Sequence, residues 1–133
     1  VLWKLDAGTG WAGPVVAGGR LVFFHRVGDE EVLLALDPAT GKEQWKRAYP
    51  TQYKDDFNFD NGPRATPTVA GDRVFTLGAN GDFSATELAT GKALWHRNLR
   101  EDYKAGKGFF GAACSPLVMG DRVLVNVGAK GAG

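Results

Sequence analysis

An all-β fold, built from repeated four-stranded antiparallel sheets, is predicted by three features of the sequence. Residues 35–45 (ALDPATGKEQW) return fifty positions later as residues 85–95 (ATELATGKALW). A proline, a short apolar run, a Gly-Gly or Gly-Asp pair and a second apolar run occur in that order three times, starting at Pro14, Pro67 and Pro116. Glycine supplies 19 of the 133 residues, as expected for short strands joined by tight turns. A period of about 40–50 residues is typical of radial or stacked repeats.

Each complete repeat carries four strand signals in a row. The proline-led hairpin supplies two strands, because proline costs no ladder bond at a strand's first position and Gly-rich pairs suit tight turns. A third strand is predicted at about residues 31–37 and 82–87, and a fourth ends at Trp45 or Trp95. Four antiparallel strands make one blade of a β-propeller. The sequence therefore predicts one propeller domain over 1–133, with a preceding blade ending at 1–5, blades at 13–47 and 65–98, and a further blade starting at 114–133.

The number of blades bears on how the chain is completed. A blade buries its faces only against neighbouring blades, and propellers usually close with at least four of them. Two blades, a final strand and half a blade therefore predict a piece of a longer polypeptide, whose missing blades would be the immediate partners of this chain.

Composition excludes several classes of function. The net charge is +1 and acidic and basic residues are interspersed, so no nucleic-acid partner is expected. No apolar run is long enough for a transmembrane helix. The single cysteine, Cys114, cannot form an internal disulfide and is expected to be a small buried residue. His25 and His96 have no clustered ligands beside them, so no metal site is expected.

The repeated motif, Ala-x-acid-x-x-Thr-Gly-Lys-x-x-Trp, resembles the tryptophan-docking motif of PQQ-like (quinoprotein-type) β-propeller repeats, over nearly the whole chain. The resemblance implies that Trp45 and Trp95 dock on the turns at Gly41 and Gly91 and tie the blades together. In the second copy Glu87 replaces aspartate, and a looser turn hydrogen bond is expected there. The resemblance assigns structural docking roles to Trp3, Trp45, Trp95, Gly41, Gly91, Asp37, Thr40 and Thr90.

Two functions follow from the resemblance. The family includes BamB-like lipoproteins of the outer-membrane assembly machinery and other exported bacterial proteins that bind no quinone, and the strings at 61–67 and 108–116 are most similar to the latter. This favours a non-catalytic, periplasmic or otherwise extracytoplasmic scaffold that binds a protein or small ligand at the propeller face, without a cofactor. The alternative is a fragment of a PQQ-dependent alcohol or sugar dehydrogenase holding PQQ and Ca²⁺. The adjacent cysteine pair of that class is missing, since Cys114 stands alone.

Candidate ligand-binding residues precede the first strand of each repeat, where the loops are expected to approach the propeller axis. When the repeats are aligned on their prolines, Trp11, Arg64 and Ala113 are equivalent yet differ in chemistry, as expected if each blade contributes differently to one pocket. The Arg64 guanidinium would suit a carboxylate or quinone oxygen. It could equally pair with Asp60 or with a neighbouring loop.

Four further candidates each have a structural alternative. Trp11 could stack on a flat ligand or pack between blades. Phe109 and Phe110 could clamp a ligand or form a hydrophobic plug. Asn61 could ligate a metal or cap a turn. No nucleophile and base can be paired in the sequence, so no catalytic residue is predicted and an enzyme is not favoured.

Overall fold

The computed structural model describes residues 1–129 and contains two four-stranded antiparallel sheets followed by a two-stranded hairpin. The first sheet has the order β1 (Val15–Ala17), β2 (Arg20–Val27), β3 (Glu30–Leu36) and β4 (Glu43–Pro50). The second has the order β5 (Thr68–Ala70), β6 (Arg73–Leu77), β7 (Asp82–Glu87) and β8 (Ala93–Asn98). Helix α1 (Leu99–Tyr103) leads to the hairpin of β9 (Leu117–Met119) and β10 (Arg122–Leu124). The predicted all-β class with four-stranded antiparallel sheets is confirmed.

The start of the chain differs from the prediction, and part of its predicted last blade lies outside the described residues. Residues 1–5, expected as the last strand of a preceding blade, form no strand, because a strand needs a hydrogen-bonded neighbour and none of residues 1–129 pairs with them. The chain first touches the sheet at the bridge between Thr9 and Arg26. Of the predicted start of a further blade at 114–133, residues 130–133 lie outside the described residues.

A β-bulge explains how the repeated motif places its tryptophan. Trp45 pairs with Ala35 while Glu43 pairs with Leu36, so one extra residue is accommodated between them. The same shift puts Trp95 opposite Ala85. Both alanines are fully buried, and their small side chains leave room for the indole across the strand pair.

Apolar side chains from successive sheets meet between them. One buried cluster joins residues of the first sheet, including Phe24 and Leu33, to Val74 and Leu88 of the second. Another joins Phe75 and Phe83 of the second sheet to partly buried residues of the third repeat. The hydrophobic core therefore lies between the sheets, because each blade buries its apolar faces against the neighbouring blade.

The tryptophans contact glycine turns that lie one repeat further along than predicted. The Trp3 ring lies on Gly41 and its Nε1 donates to the Pro38 carbonyl at 3.0 Å. The Trp45 ring lies on Gly91 and its Nε1 donates to the Leu88 carbonyl at 2.8 Å.

Only a glycine suits the receiving turn. At Gly91 φ is 76°, and a Cβ would approach the Trp45 ring to 2.8 Å. The predicted pairs of Trp45 with Gly41 and Trp95 with Gly91 are therefore wrong. The Trp45 indole links the fourth strand of one repeat to the turn of the next.

The two turns differ at their acidic residue. Asp37 Oδ1 accepts hydrogen bonds from the Ala39 amide at 2.9 Å, the Thr40 amide at 2.8 Å and the Thr40 hydroxyl. Glu87 Oε2 accepts from the Thr90 hydroxyl, while within residues 1–129 the equivalent amides receive no bond from it. Glu87, with its longer side chain, therefore keeps the hydrogen bond from the Thr90 hydroxyl, which was expected to loosen. It lacks the two hydrogen bonds from backbone amides that Asp37 accepts in the first turn.

Replacing Glu87 with aspartate is expected to stabilise the fold, because the shorter carboxylate can reach both turn amides as Asp37 does. The gain should be about 0.5–1 kcal/mol, since the site is exposed and each net hydrogen bond is small. Urea unfolding midpoints of wild type and Glu87→Asp measure it, with Glu87→Gln as the control that keeps the longer side chain. A midpoint unchanged by Glu87→Asp would show that these amide bonds contribute nothing.

A carboxyl group is buried between the two sheets. Glu31, on β3, is fully buried, and its Oε1 accepts from the Ala79 amide of the second sheet at 2.9 Å. Its other oxygen and the Tyr49 hydroxyl lie against Gly78, where a Cβ would meet Oε2 at 2.0 Å. Burial raises the pKa of the Glu31 carboxyl, and the hydrogen bond from Ala79 only partly offsets this effect.

The raised pKa of Glu31 predicts a pH-dependent stability. In the folded protein the pKa of Glu31 lies above the reference value of 4.5. The protonated carboxyl therefore contributes fully to the free energy of unfolding below pH 4.5, and this contribution is lost as the pH rises through the pKa of the folded state. Glu31→Gln, which keeps an acceptor without a charge, should therefore be more stable than wild type at pH 7 and lose this advantage near pH 4. Chemical unfolding across this range tests it, with exposed Glu30→Gln as the control. An advantage that grows towards low pH would contradict the assignment.

Candidate functional site

Three loops gather at the end of the sheets opposite to the Thr-Gly turns. They are the first loop (residues 8–14), the second loop (51–67) and the third loop (104–116), each leading into the first strand of a repeat. The Trp11 amide donates to the Pro63 carbonyl at 2.8 Å, and the Ala112 amide donates to the Ala79 carbonyl at 2.9 Å.

The residues before the three repeat prolines join the loops in the same way. The Gly13 amide donates to the Thr66 hydroxyl, and the Thr66 amide donates to the Ser115 hydroxyl, each at 3.0 Å. The three loops therefore form one continuous surface, and all five predicted ligand-binding residues belong to these loops.

Arg64, a candidate for ligand binding, is turned into the protein. Its side chain is 4% exposed and lies 3.7 Å from the Asp55 carboxylate, whose side chain is fully buried. Its two terminal nitrogens donate to the carbonyls of Gly62 and Asp60 in its own loop. The structural alternative raised for Arg64 thus describes the geometry, although the carboxylate is that of Asp55 and Asp60 contributes only its carbonyl.

Two aromatic rings enclose the Arg64 guanidinium. Its Cζ lies 5.3 Å from the Trp11 ring centre and 4.8 Å from that of Tyr53. Such contacts stabilise a cation by about 0.5–2 kcal/mol. Trp11 is more than half-exposed, so its ring covers Arg64 from the solvent side and leaves part of its own surface open.

Asn61 serves the loop rather than an ion. Its side-chain oxygen accepts from the Asp55 amide at 2.8 Å, which closes the turn over residues 55–61. Asp55 Oδ2 accepts from the Phe59 amide at 2.7 Å within the same turn. Of the two interpretations of Asn61, this geometry favours the turn cap. Among residues 1–129, no three His, Cys, Asp or Glu side chains lie close enough to hold a metal ion.

Arg26, which sequence reasoning missed, holds the second loop onto the first sheet. Its buried guanidinium donates to the carbonyls of Gly28, Tyr53 and Asn61 at 2.7–3.1 Å and pairs with Asp29. Arg26 lies two residues after the apolar run at 21–24 in β2, and a charged residue within a strand beside such a run is the signal that could have revealed it.

Phe109 and Phe110 belong to an exposed aromatic group that also spans the second loop. The ring of Phe57 lies 6.0 Å from Phe59, 6.3 Å from Phe109 and 5.7 Å from Phe110, measured between ring centres. The four side chains, called here the phenylalanine cluster, are 48–74% exposed. A hydrophobic plug would be buried, so the cluster is a surface feature of the described chain.

The phenylalanine cluster rests on a rigid base. Gly111 has φ 72° and packs so closely on Tyr53 and the Ala79 carbonyl that a Cβ would come within 2.6–2.7 Å of them. Lys107 pairs with Asp56 and lies 5.3 Å above the Tyr53 ring. The second and third loops are thus locked together beneath the four rings.

Two residues weighed for a quinone have the following surroundings within residues 1–129. Arg64, the guanidinium considered for a quinone oxygen, is already occupied by Asp55 and two carbonyls. The Cys114 sulfur accepts a hydrogen bond from the Asn126 amide at 3.4 Å. No second cysteine is adjacent to Cys114 in the sequence. No helix within residues 1–129 is long and apolar enough to span a membrane.

Comparison with known proteins gives one family and several structural neighbours. A family model described as outer membrane protein assembly factor BamB matches residues 1–133. No curated protein matches.

Three structural neighbours resemble the chain over part of their own length. BamB from Moraxella catarrhalis is 20% identical, with a TM-score of 0.62, over 92% of this chain and 32% of its own. The quinohemoprotein alcohol dehydrogenase of Comamonas testosteroni is 25% identical, with a TM-score of 0.58, over 90% of this chain and 18% of its own. A quinohemoprotein alcohol dehydrogenase of Pseudomonas putida is 26% identical, with a TM-score of 0.61, over 92% of this chain and 17% of its own. The predicted propeller fold is confirmed, and the chain spans about a third or less of each neighbour.

Proposed function

The chain belongs to the PQQ-like repeat family whose description is outer membrane protein assembly factor BamB, and we propose that it is part of a non-catalytic propeller scaffold. The scaffold binds a protein or small ligand through the loop surface at one end of the blades. It acts outside the cytoplasm, in the cell envelope, as the description of the family implies.

One observation carries this proposal. At the loop surface the Arg64 guanidinium and the Asp55 carboxylate are buried and paired with each other, whereas the four rings of the phenylalanine cluster are 48–74% exposed. Large exposed apolar patches mark protein or membrane interaction sites and ligand-binding grooves. The loop surface therefore supports recognition better than turnover.

A second function, PQQ-dependent oxidation of an alcohol or sugar, is supported by the likeness to two quinohemoprotein alcohol dehydrogenases at 25% and 26% identity. In such an enzyme PQQ supplies the redox chemistry and the protein supplies Ca²⁺ ligands and stacking groups. Residues 1–129 offer no such constellation, so under this alternative the site would be formed by other blades.

A turnover assay separates the two functions. The full-length protein, incubated with PQQ and Ca²⁺, would be tested for reduction of an artificial electron acceptor by primary alcohols and aldoses. Titration calorimetry with PQQ and Ca²⁺ would accompany it. The scaffold predicts no acceptor reduction and no heat of PQQ binding. Reduction that depends on both PQQ and substrate would overturn the scaffold in favour of the dehydrogenase.

A further inference from the structure

The seam between the two four-stranded sheets holds a cavity of about 190 Å³, called here the seam cavity. Leu33 and Arg47 line it from the first sheet, and Thr76, Ser84 and His96 line it from the second. Both sheets have all four of their strands within residues 1–129. A further blade packs against the faces that these sheets turn away from each other. The walls of the seam cavity are therefore present in this chain, and the cavity is not a gap left by a missing blade.

The second sheet lines this seam with hydroxyl groups at positions that are apolar in the first repeat. Leu34 and Ser84 are equivalent, because each precedes the alanine that faces a tryptophan. The row of paired residues through Ser84 is Thr76, Ser84 and His96. The same row of the first sheet is Phe23, Leu34 and Lys46. Two large apolar side chains of one repeat are thus two small hydroxyl side chains in the next.

The substitution extends to the neighbouring row. Thr86 stands fifty positions after Leu36 and also lines the seam cavity. Thr76 and Thr86 are only 2% and 3% exposed. A buried hydroxyl costs free energy unless it finds a hydrogen-bond partner, whereas an apolar side chain carries no such cost. Three hydroxyl residues on a surface that packs on another sheet therefore mark a place suited to polar contacts.

The charged side chains of the seam cavity are basic. Among residues 1–129, Arg47 and His96 line the cavity and no acidic residue does. The ion pairs of this part of the chain do not include Arg47, whose Nη1 makes one long hydrogen bond to the Gly91 carbonyl, at 3.4 Å. His96 Nε2 lies 3.1 Å from Asp82 Oδ1, which fixes the orientation of the ring. An unpaired guanidinium beside hydroxyl donors suits a carboxylate, which it can bind through two parallel hydrogen bonds.

The size of the cavity limits the ligand. An apolar protein cavity of about 150 Å³ accommodates benzene, so about 190 Å³ suits a molecule of about six to eight heavy atoms. We infer that the seam cavity binds a small organic carboxylate. The carboxylate group lies at Arg47 and the hydroxyl residues, and a short apolar body lies against Leu33. This site is separate from the loop surface and does not depend on the proposed scaffold function.

The test uses the full-length protein and ligand-detected NMR. Butyrate and pentanoate are the probes, butyramide and pentanamide are their uncharged counterparts, and inorganic phosphate is an anion without an apolar body. Saturation-transfer difference spectra should detect the two carboxylates, and titrations then give Kd. Ser84→Leu, which introduces the side chain that the first repeat has at this position, should fill the cavity and raise Kd about tenfold or more. Arg47→Gln should raise Kd about tenfold by removing the charge.

Lys46→Gln is the matched control. Lys46 is exposed and adjacent to Arg47 on β4, and successive side chains of a strand point to opposite faces. Its loss removes the same charge from the same strand and should leave Kd unchanged. Circular dichroism checks that the variants are folded. If Ser84→Leu does not fold, Arg47→Gln decides alone, because the exposed Arg47 can be replaced without opening the core.

Four results would each overturn the inference. They are no saturation transfer to either carboxylate, equal binding of the uncharged amides, a Kd that Arg47→Gln leaves unchanged, and binding of phosphate alone. A Kd raised equally by Lys46→Gln would likewise show only a general effect of charge. Turnover with PQQ would defeat the scaffold function and leave the carboxylate site standing, so the two failures are distinguishable.

Discussion

Truncating Trp45 to alanine is expected to lower the free energy of unfolding by about 3–5 kcal/mol, the usual cost of removing a buried tryptophan. The indole of Trp45 is buried in the apolar cluster between the two sheets. Its Nε1 donates to the Leu88 carbonyl, so truncation also leaves a buried acceptor without its partner. Urea unfolding of the full-length protein, followed by circular dichroism, measures the loss.

Two variants show where this energy comes from. Trp45→Phe keeps a ring over Gly91 but loses the hydrogen bond, so it should cost less than Trp45→Ala. Trp95→Ala, in a chain of residues 1–133, should also cost less, because Trp95 is only half-buried and packs on Phe75 and Phe83 of its own sheet. If Trp45→Ala lowered stability by less than Trp95→Ala in that chain, the inter-sheet role of Trp45 would be refuted.

Arg64→Met is expected to destabilise the protein by about 3–5 kcal/mol, because it leaves the fully buried carboxylate of Asp55 without its countercharge. Two loop carbonyls lose their donors as well. Arg64→Lys should recover only part of this loss, because an ammonium cannot reproduce the planar fork that serves both carbonyls. Thermal unfolding of the variants provides the measurement.

A double variant separates a structural from a ligand-binding Arg64. Combining Arg64→Met with Asp55→Asn removes both charges and should be more stable than Arg64→Met alone, since no unpaired charge remains buried. A ligand-binding role predicts a different pattern, in which Arg64→Met unfolds at the wild-type temperature and changes only affinity. That pattern would disprove the ion pair as the main role of Arg64.

The repeated motif was enough to predict the blades, because the spacing of turns and apolar runs is a local property of each repeat. It was not enough to assign which turn receives which indole. The offset between Trp45 and Gly91 depends on how one sheet lies on the next, and spacing within a repeat carries no information about that. The pairing therefore needed the structure.

The candidate site was predicted less well than the fold. Position before a strand drew attention to the three loops, but it could not tell that Arg64 points inward and Trp11 outward. Phe57 and Phe59 were overlooked because they lie in a polar spacer, 52 and 50 residues before Phe109 in the sequence. They become one surface with Phe109 and Phe110 only when two successive loops pack side by side.

The offset between each tryptophan and its glycine turn also sets an order of events during synthesis. Gly91 is made 46 residues after Trp45, and Gly41 is made 38 residues after Trp3. At roughly 5–20 residues per second, the Trp45 indole waits about 2–9 s on the nascent chain for the turn that will cover it. Throughout growth, the most recently completed blade thus carries an uncovered aromatic ring.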